Sequence, residues 1–60
     1  MNLSVDEIAR GMLRRYSSAK LAMEMAHWHG MDYGPGSEGR KKWAQVRREI
    51  ARLSKEGGKL

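Results

Sequence analysis

The sequence predicts an all-α fold, an antiparallel two-helix hairpin that pairs with a second copy into a homodimeric four-helix bundle. Three observations carry this. Apolar residues recur at spacings of three and four along two stretches, the mark of helices with one buried face. The stretches are separated by GMDYGPG at positions 30–36, whose Gly and Pro residues cannot continue a helix. The first stretch is also apolar on more sides than a single hairpin partner can cover, which calls for a further chain. All 60 residues form one hairpin domain in this reading: a first helix over about 4–29, a loop over 30–36, a second helix over about 37–56 and a short tail.

The first helix opens on a capping box, Ser4-Val5-Asp6-Glu7. The Ser hydroxyl can accept the Glu7 backbone N–H while the Glu carboxylate reaches back, and both acids sit at the positive end of the helix dipole. Val5, Ile8, Met12, Tyr16, Ala19, Met23 and Ala26 then trace one unbroken face. Gly11 interrupts it at a cost of ~1 kcal/mol relative to Ala and suggests a close helix contact. Gly30 is the expected residue just past the helix end, where a left-handed conformation carries no Cβ strain. Ser37 caps the second helix with Glu38 in its first turn. Trp43, Val46, Ile50 and Leu53 follow in the a/d rhythm of a seam. Gly57-Gly58 ends the helix and Lys59-Leu60 frays. The expected hairpin core is Ile8, Met12, Tyr16 and Met23 against Trp43, Val46, Ile50 and Leu53.

A chain of this length buries only about 60% of its unfolded surface, so its core is thin without help. No Cys is present, which removes disulfides and thiolate metal sites and suits a cytoplasmic protein. The start has acids where a signal peptide carries bases, and no apolar run approaches the ~20 residues that span a bilayer. Twelve Lys and Arg against seven Asp and Glu give a formal charge of +5, which favours acidic partners.

Two surfaces stand out. At about 100° per residue, Leu21, Met25 and Trp28 project opposite the seam, so residues 21–28 are apolar nearly all round. Such a helix is buried on both sides, and the expected interface residues, for a dimer or a partner, are Leu21, Met25 and Trp28. The plainer alternative folds Met25 and Trp28 over Met31 and Tyr33 of the loop. On the second helix, Lys41, Arg48, Arg52 and Lys55 form a basic face away from the seam, flanked by Arg40 and Arg47. That face either follows a phosphate backbone, meets an acidic protein, or is the solvated side of an amphipathic helix with Glu38–Lys42, Glu49–Arg52 and Arg52–Glu56 pairs.

Catalytic and metal chemistry find little support. His27-Trp28-His29 suggests a site, but residues two apart on a helix point in nearly opposite directions, and no fixed tetrahedral ligand set accompanies them. The imidazoles are expected at the seam edge or on the last carbonyls of the first helix. Ser17 and Ser18 have no general base at i±4 to activate them. The Gly-rich loop lacks the Gly-Lys-Ser/Thr ending of a P-loop. The expectation is therefore no enzyme, no cofactor, no metal, no small-molecule substrate and no membrane contact.

Arg14-Arg15-Tyr16, an Ala-rich helix, a Gly-containing loop and Gly39-x-x-x-Trp43-x-x-Val46-x-x-x-Ile50-x-x-Leu53 resemble a class of short bacterial and phage helical-hairpin proteins. The likeness spans most of residues 5–53 and departs in the longer loop around 32–37. It implies the hairpin and brings no activity with it, since none is known for that class. The layout is also similar to Rop-type helical-hairpin dimers, which bind paired RNA hairpins. The expected function is a small interaction protein, of the size of phage- or mobile-element-encoded inhibitors such as anti-CRISPR proteins, that binds and modulates a larger acidic-surfaced partner. The alternative is a Rop-like nucleic-acid-binding regulator acting through Lys41, Arg48, Arg52 and Lys55.

Overall fold

The computed structural model describes residues 4–57. Those residues form three helices and no strand: α1 (Val5–Arg15), α2 (Ala19–Met31) and α3 (Glu38–Gly57). The frayed tail expected at Lys59-Leu60 lies outside the described residues. The all-α class stands, but the continuous first helix does not.

The expected helix over 4–29 breaks at Tyr16–Ser18. Tyr16 is extended (φ −103°, ψ 150°) and closes α1 through its N–H to the Met12 carbonyl. Ser18 is also extended (φ −146°, ψ 155°), and its Oγ accepts the Leu21 N–H at 3.1 Å, capping α2. Serine side chains compete for backbone groups and so favour caps over helix interiors. The three-and-four spacing carries straight through the break, because Tyr16 and Ala19 keep their interval on either side of it. Periodicity alone therefore hid the joint. The break lets the chain lay two helices on α3 instead of one, so part of the core that a hairpin lacks comes from within the chain.

α3 is the central element. Both α1 and α2 pack against it, and they scarcely meet each other. The buried core is Ala9, Met12, Ala22, Ala26, Val46 and Ile50. Of the expected core, Met12, Val46 and Ile50 are buried, whereas Ile8, Tyr16, Met23, Trp43 and Leu53 are half-buried against it. Alanines supply much of what the sequence reading gave to larger residues: Ala9, Ala22 and Ala26 are wholly inaccessible. Their small size lets α1 and α2 approach α3 closely enough to enclose Val46 and Ile50, the largest fully buried side chains.

Two glycines act differently from expectation. Gly30 is no left-handed cap but a buried residue inside α2. A Cβ there would lie 3.1 Å from the Trp43 Cβ, so Gly30 marks the close approach of α2 to α3. The left-handed glycine of the connection is Gly36, at φ 78°. Gly11, by contrast, has nothing within 4 Å of an added Cβ and marks no close contact.

The caps expected at Ser4 and Ser37 form. Ser4 Oγ accepts the Glu7 N–H at 3.2 Å and donates to the Glu7 carboxylate at 3.1 Å. Ser37 Oγ accepts the Arg40 N–H at 3.2 Å. The far end of α2 is held by Arg40, whose Nε donates to the Gly30 carbonyl at 3.4 Å. Arg40 thus joins both ends of the connection, its backbone N–H at the Ser37 cap and its guanidinium at the last turn of α2, where the histidines were expected.

Ion pairs form within α1 and within α3. Arg10 pairs with Asp6 at 2.8 Å, and Arg52 pairs with Glu49 at 2.6 Å and with Glu56 at 3.1 Å. The Arg52 hydrogen bond holds the Glu49 carboxyl far below its ordinary 4.5, down to about 2, against the opposing cost of desolvation; Asp6 and Arg10 of α1 add smaller effects in the same direction. Glu49 and Arg10 therefore attract across the α1–α3 contact. Arg52 is held protonated by the same pairing.

Candidate functional site

The candidate surface lies on the side of the α2–α3 pair that α1 leaves uncovered. Glu49 and Arg47 are two residues apart on α3 and so point to opposite flanks. Glu49 meets Asp6 and Arg10 of α1, while Arg47 lines an open groove on the other flank. That groove encloses about 820 Å³. Its walls come from Ala19 and Met23 of α2 and from Ala51 and Ser54 of α3, with Lys20, Glu24 and Trp28 at the edge. A smaller recess of about 140 Å³ shares His27 and Arg47 with it and runs on to Arg40, Ala44 and Met31. Together they follow α3 from Ser54 back to Arg40.

Trp28 is the largest exposed apolar side chain here, 61% accessible. His27 meets its ring edge-on at a centroid separation of 5.6 Å. Leu21 is 37% exposed and lies on the back of α2. Met25, expected beside them at an interface, is instead half-buried against the core. Of the three, Leu21 and Trp28 are exposed, and Trp28 lines the groove.

The basic face is also altered. Lys41, Arg48 and Lys55 are exposed, but Arg52 is engaged by Glu49 and Glu56. Three cations remain along that side of α3. Arg40 and Arg47, which the sequence placed at its margin, belong to the groove.

The histidines part as helical geometry requires. His27 meets Trp28, and His29 stacks on Trp43 with centroids 4.8 Å apart and planes inclined by 26°. Among the described residues no group of three or more His, Cys, Asp or Glu is placed to hold a metal. Ser54, His27 and Glu24 share the groove, yet the serine hydrogen bonds of the described chain serve caps at Ser4, Ser18 and Ser37. The nucleophile-to-base and base-to-orienter bonds that define a hydrolytic triad are not formed. No helix among the described residues is long and apolar enough to cross a membrane.

No family model, curated protein or solved structure matches this chain. Sequence reasoning found Trp28 through its position opposite the seam but missed the groove, because a groove between two helices needs the register of both. The signal that could have found it is the run of small residues Ala19, Ala44, Ala51 and Ser54 at the edges of the two apolar stripes.

Proposed function

We propose that this chain is a non-enzymatic interaction protein that docks on an acidic surface of a larger protein and modulates it. The observation that carries this reading is Trp28, 61% exposed at the edge of an open groove that also carries Lys20 and Arg47. A large aromatic beside cations is the composition of an interface anchor. Exposing such a ring to water is unfavourable, and covering it on binding returns that free energy. The formal charge of +5 steers acidic surfaces toward the same face.

A symmetric dimer through Leu21, Met25 and Trp28 would complete a four-helix bundle. It is the weaker reading, since Met25 is already packed against the core and two copies bring like net charge together. Affinity capture from the native host tests the proposal. The wild-type chain should retain a protein after nuclease treatment, and Trp28→Ala should lose it. Retention unchanged by Trp28→Ala, or retention wholly removed by nuclease, refutes the proposal.

The second reading, a nucleic-acid binder, draws on one observation: Lys41, Arg48 and Lys55 stand exposed at sevenfold spacing along one side of α3. It predicts retention of mixed RNA or DNA pools that falls steeply with salt. The pairs of Arg52 with Glu49 and Glu56, expected from their spacing, leave this stripe one free cation poorer.

A further inference from the structure

We infer that the groove between α2 and α3 receives an acidic amphipathic helix from the partner protein, seated alongside α2 and α3 on the flank opposite α1. This rests on the interaction-protein reading and names what is recognised. The length of the groove fits a helix. From Arg40 to Ser54 along α3 is fourteen helical steps, roughly 21 Å at 1.5 Å per residue, or about four turns. Its walls fit one too. Ala51 and Ser54 on one side and Ala19 on the other leave the backbones unscreened by bulk, so an incoming helix can come to the ~8–10 Å axial distance of packed helices. α1 already occupies the opposite flank of α3 by the same kind of packing, through Ala9 and Met12.

Charge selects the occupant. Lys20 and Arg47 line the main groove and Arg40 the recess, against the single carboxylate of Glu24. A helix with Asp or Glu beside its apolar seam meets cations on both edges. A second copy of this chain would set +5 against +5 and cation against cation. Trp28, over the edge of the groove, would close on the apolar seam of the incoming helix, as an aromatic anchor in a helix-in-groove complex does.

The probe is a synthetic helical peptide of about three heptads with Leu at a and d and Glu at e and g, compared with its Lys-flanked counterpart. Binding is read by amide chemical-shift changes in the labelled full chain, with sedimentation of the free chain alongside. The expected result is that the Glu-flanked peptide moves the signals of Met23, Arg47 and Ala51, and binds at least about tenfold more tightly than the Lys-flanked one. Ala51→Arg, which fills the groove from an exposed position, should remove binding while the helical spectrum is kept. Arg47→Glu should erase the preference for the acidic peptide.

Four results overturn the inference. Equal binding of both peptides removes the charge selection. Shifts centred on Lys41, Arg48 and Lys55 place acidic ligands on the outer stripe, and a failure of both peptides to bind while the host partner is still lost with Trp28→Ala excludes a groove-bound helix; both leave the interaction-protein reading standing. A dimer that protects the groove assigns it to a second copy.

Discussion

The joint between α1 and α2 gives a sharp test, because two adjacent serines there differ in one hydrogen bond. Ser18 Oγ accepts the Leu21 N–H at 3.1 Å, whereas Ser17 forms no such cap. Removing an N-cap serine costs about 1 kcal/mol, within a range of about 0.5–2. No cap is lost at Ser17, so Ser17→Ala should change stability by less than ~0.5 kcal/mol. The total stability of a chain this long is roughly 3–9 kcal/mol at ~0.05–0.15 kcal/mol per residue, so the Ser18 loss is readable. Thermal unfolding followed by circular dichroism should show Ser18→Ala lower in Tm by about 4–8 °C, the shift that ~1 kcal/mol produces in a domain of this size. Ser17→Ala should stay near wild type. Equal shifts for the two variants would refute the assignment of Ser18 as the cap. A helical Tyr16 by carbon chemical shifts would refute the break itself, since Tyr16 is extended at ψ 150°.

The remaining predictions concern the core, the helix crossing and the ion pairs. Ile50 is fully buried, and Ile50→Ala should cost about 2–5 kcal/mol in urea unfolding, enough to leave much of the population unfolded; a loss under ~1 kcal/mol would mean that Ile50 is not enclosed. Gly30→Val should destabilise by about 1–3 kcal/mol through overpacking, because even a Cβ at this position lies 3.1 Å from the Trp43 Cβ; a neutral result would place α2 farther from α3. Glu49 is depressed from 4.5 to about 2 on folding, so its contribution is complete above about 4.5 and disappears as pH falls toward about 2. Acid unfolding should accordingly be less steep in Glu49→Gln than in wild type over that window, and identical profiles would show that Arg52 does not hold the carboxylate in solution.

Much of the fold was legible because the informative signals were local. Ser4 could be placed as a cap from its side chain and Glu7 three residues on, and Ser37 from its side chain and Glu38 beside it. Val46 and Ile50 could be placed in the core from spacing on one helix. What escaped was whatever depended on two elements at once. The break at Ser17-Ser18 left the apolar rhythm intact, so nothing in the periodicity reported it; only the competition between a serine cap and a continuous helix did. Gly30 offered two physical uses, a left-handed turn or a close crossing, and the choice depended on Trp43, thirteen positions away. Ala9 and Ala22 were passed over because small residues contribute little to an apolar pattern, although small residues are what let helices meet closely. The surface divides in the same way. The exposure of Trp28 followed from its angle on one helix and the pairing of Arg52 from its spacing to Glu49 and Glu56 on another, while the burial of Met25 required the packing of the helices together.

The central place of α3 has a consequence for how changes in this chain combine. α1 and α2 each rest on α3 and scarcely touch one another. Substitutions placed one on each arm, away from the joint between them, should therefore act independently, their free-energy effects summing. A substitution on the inner face of α3 has no such independence, because Val46 and Ile50 share one buried cluster with Ala9 and Met12 of α1 and with Ala22 and Ala26 of α2. Variation is thus tolerated separately at the two arms and jointly constrained at the hub, and a second-site suppressor of a defect in either arm is to be sought on α3.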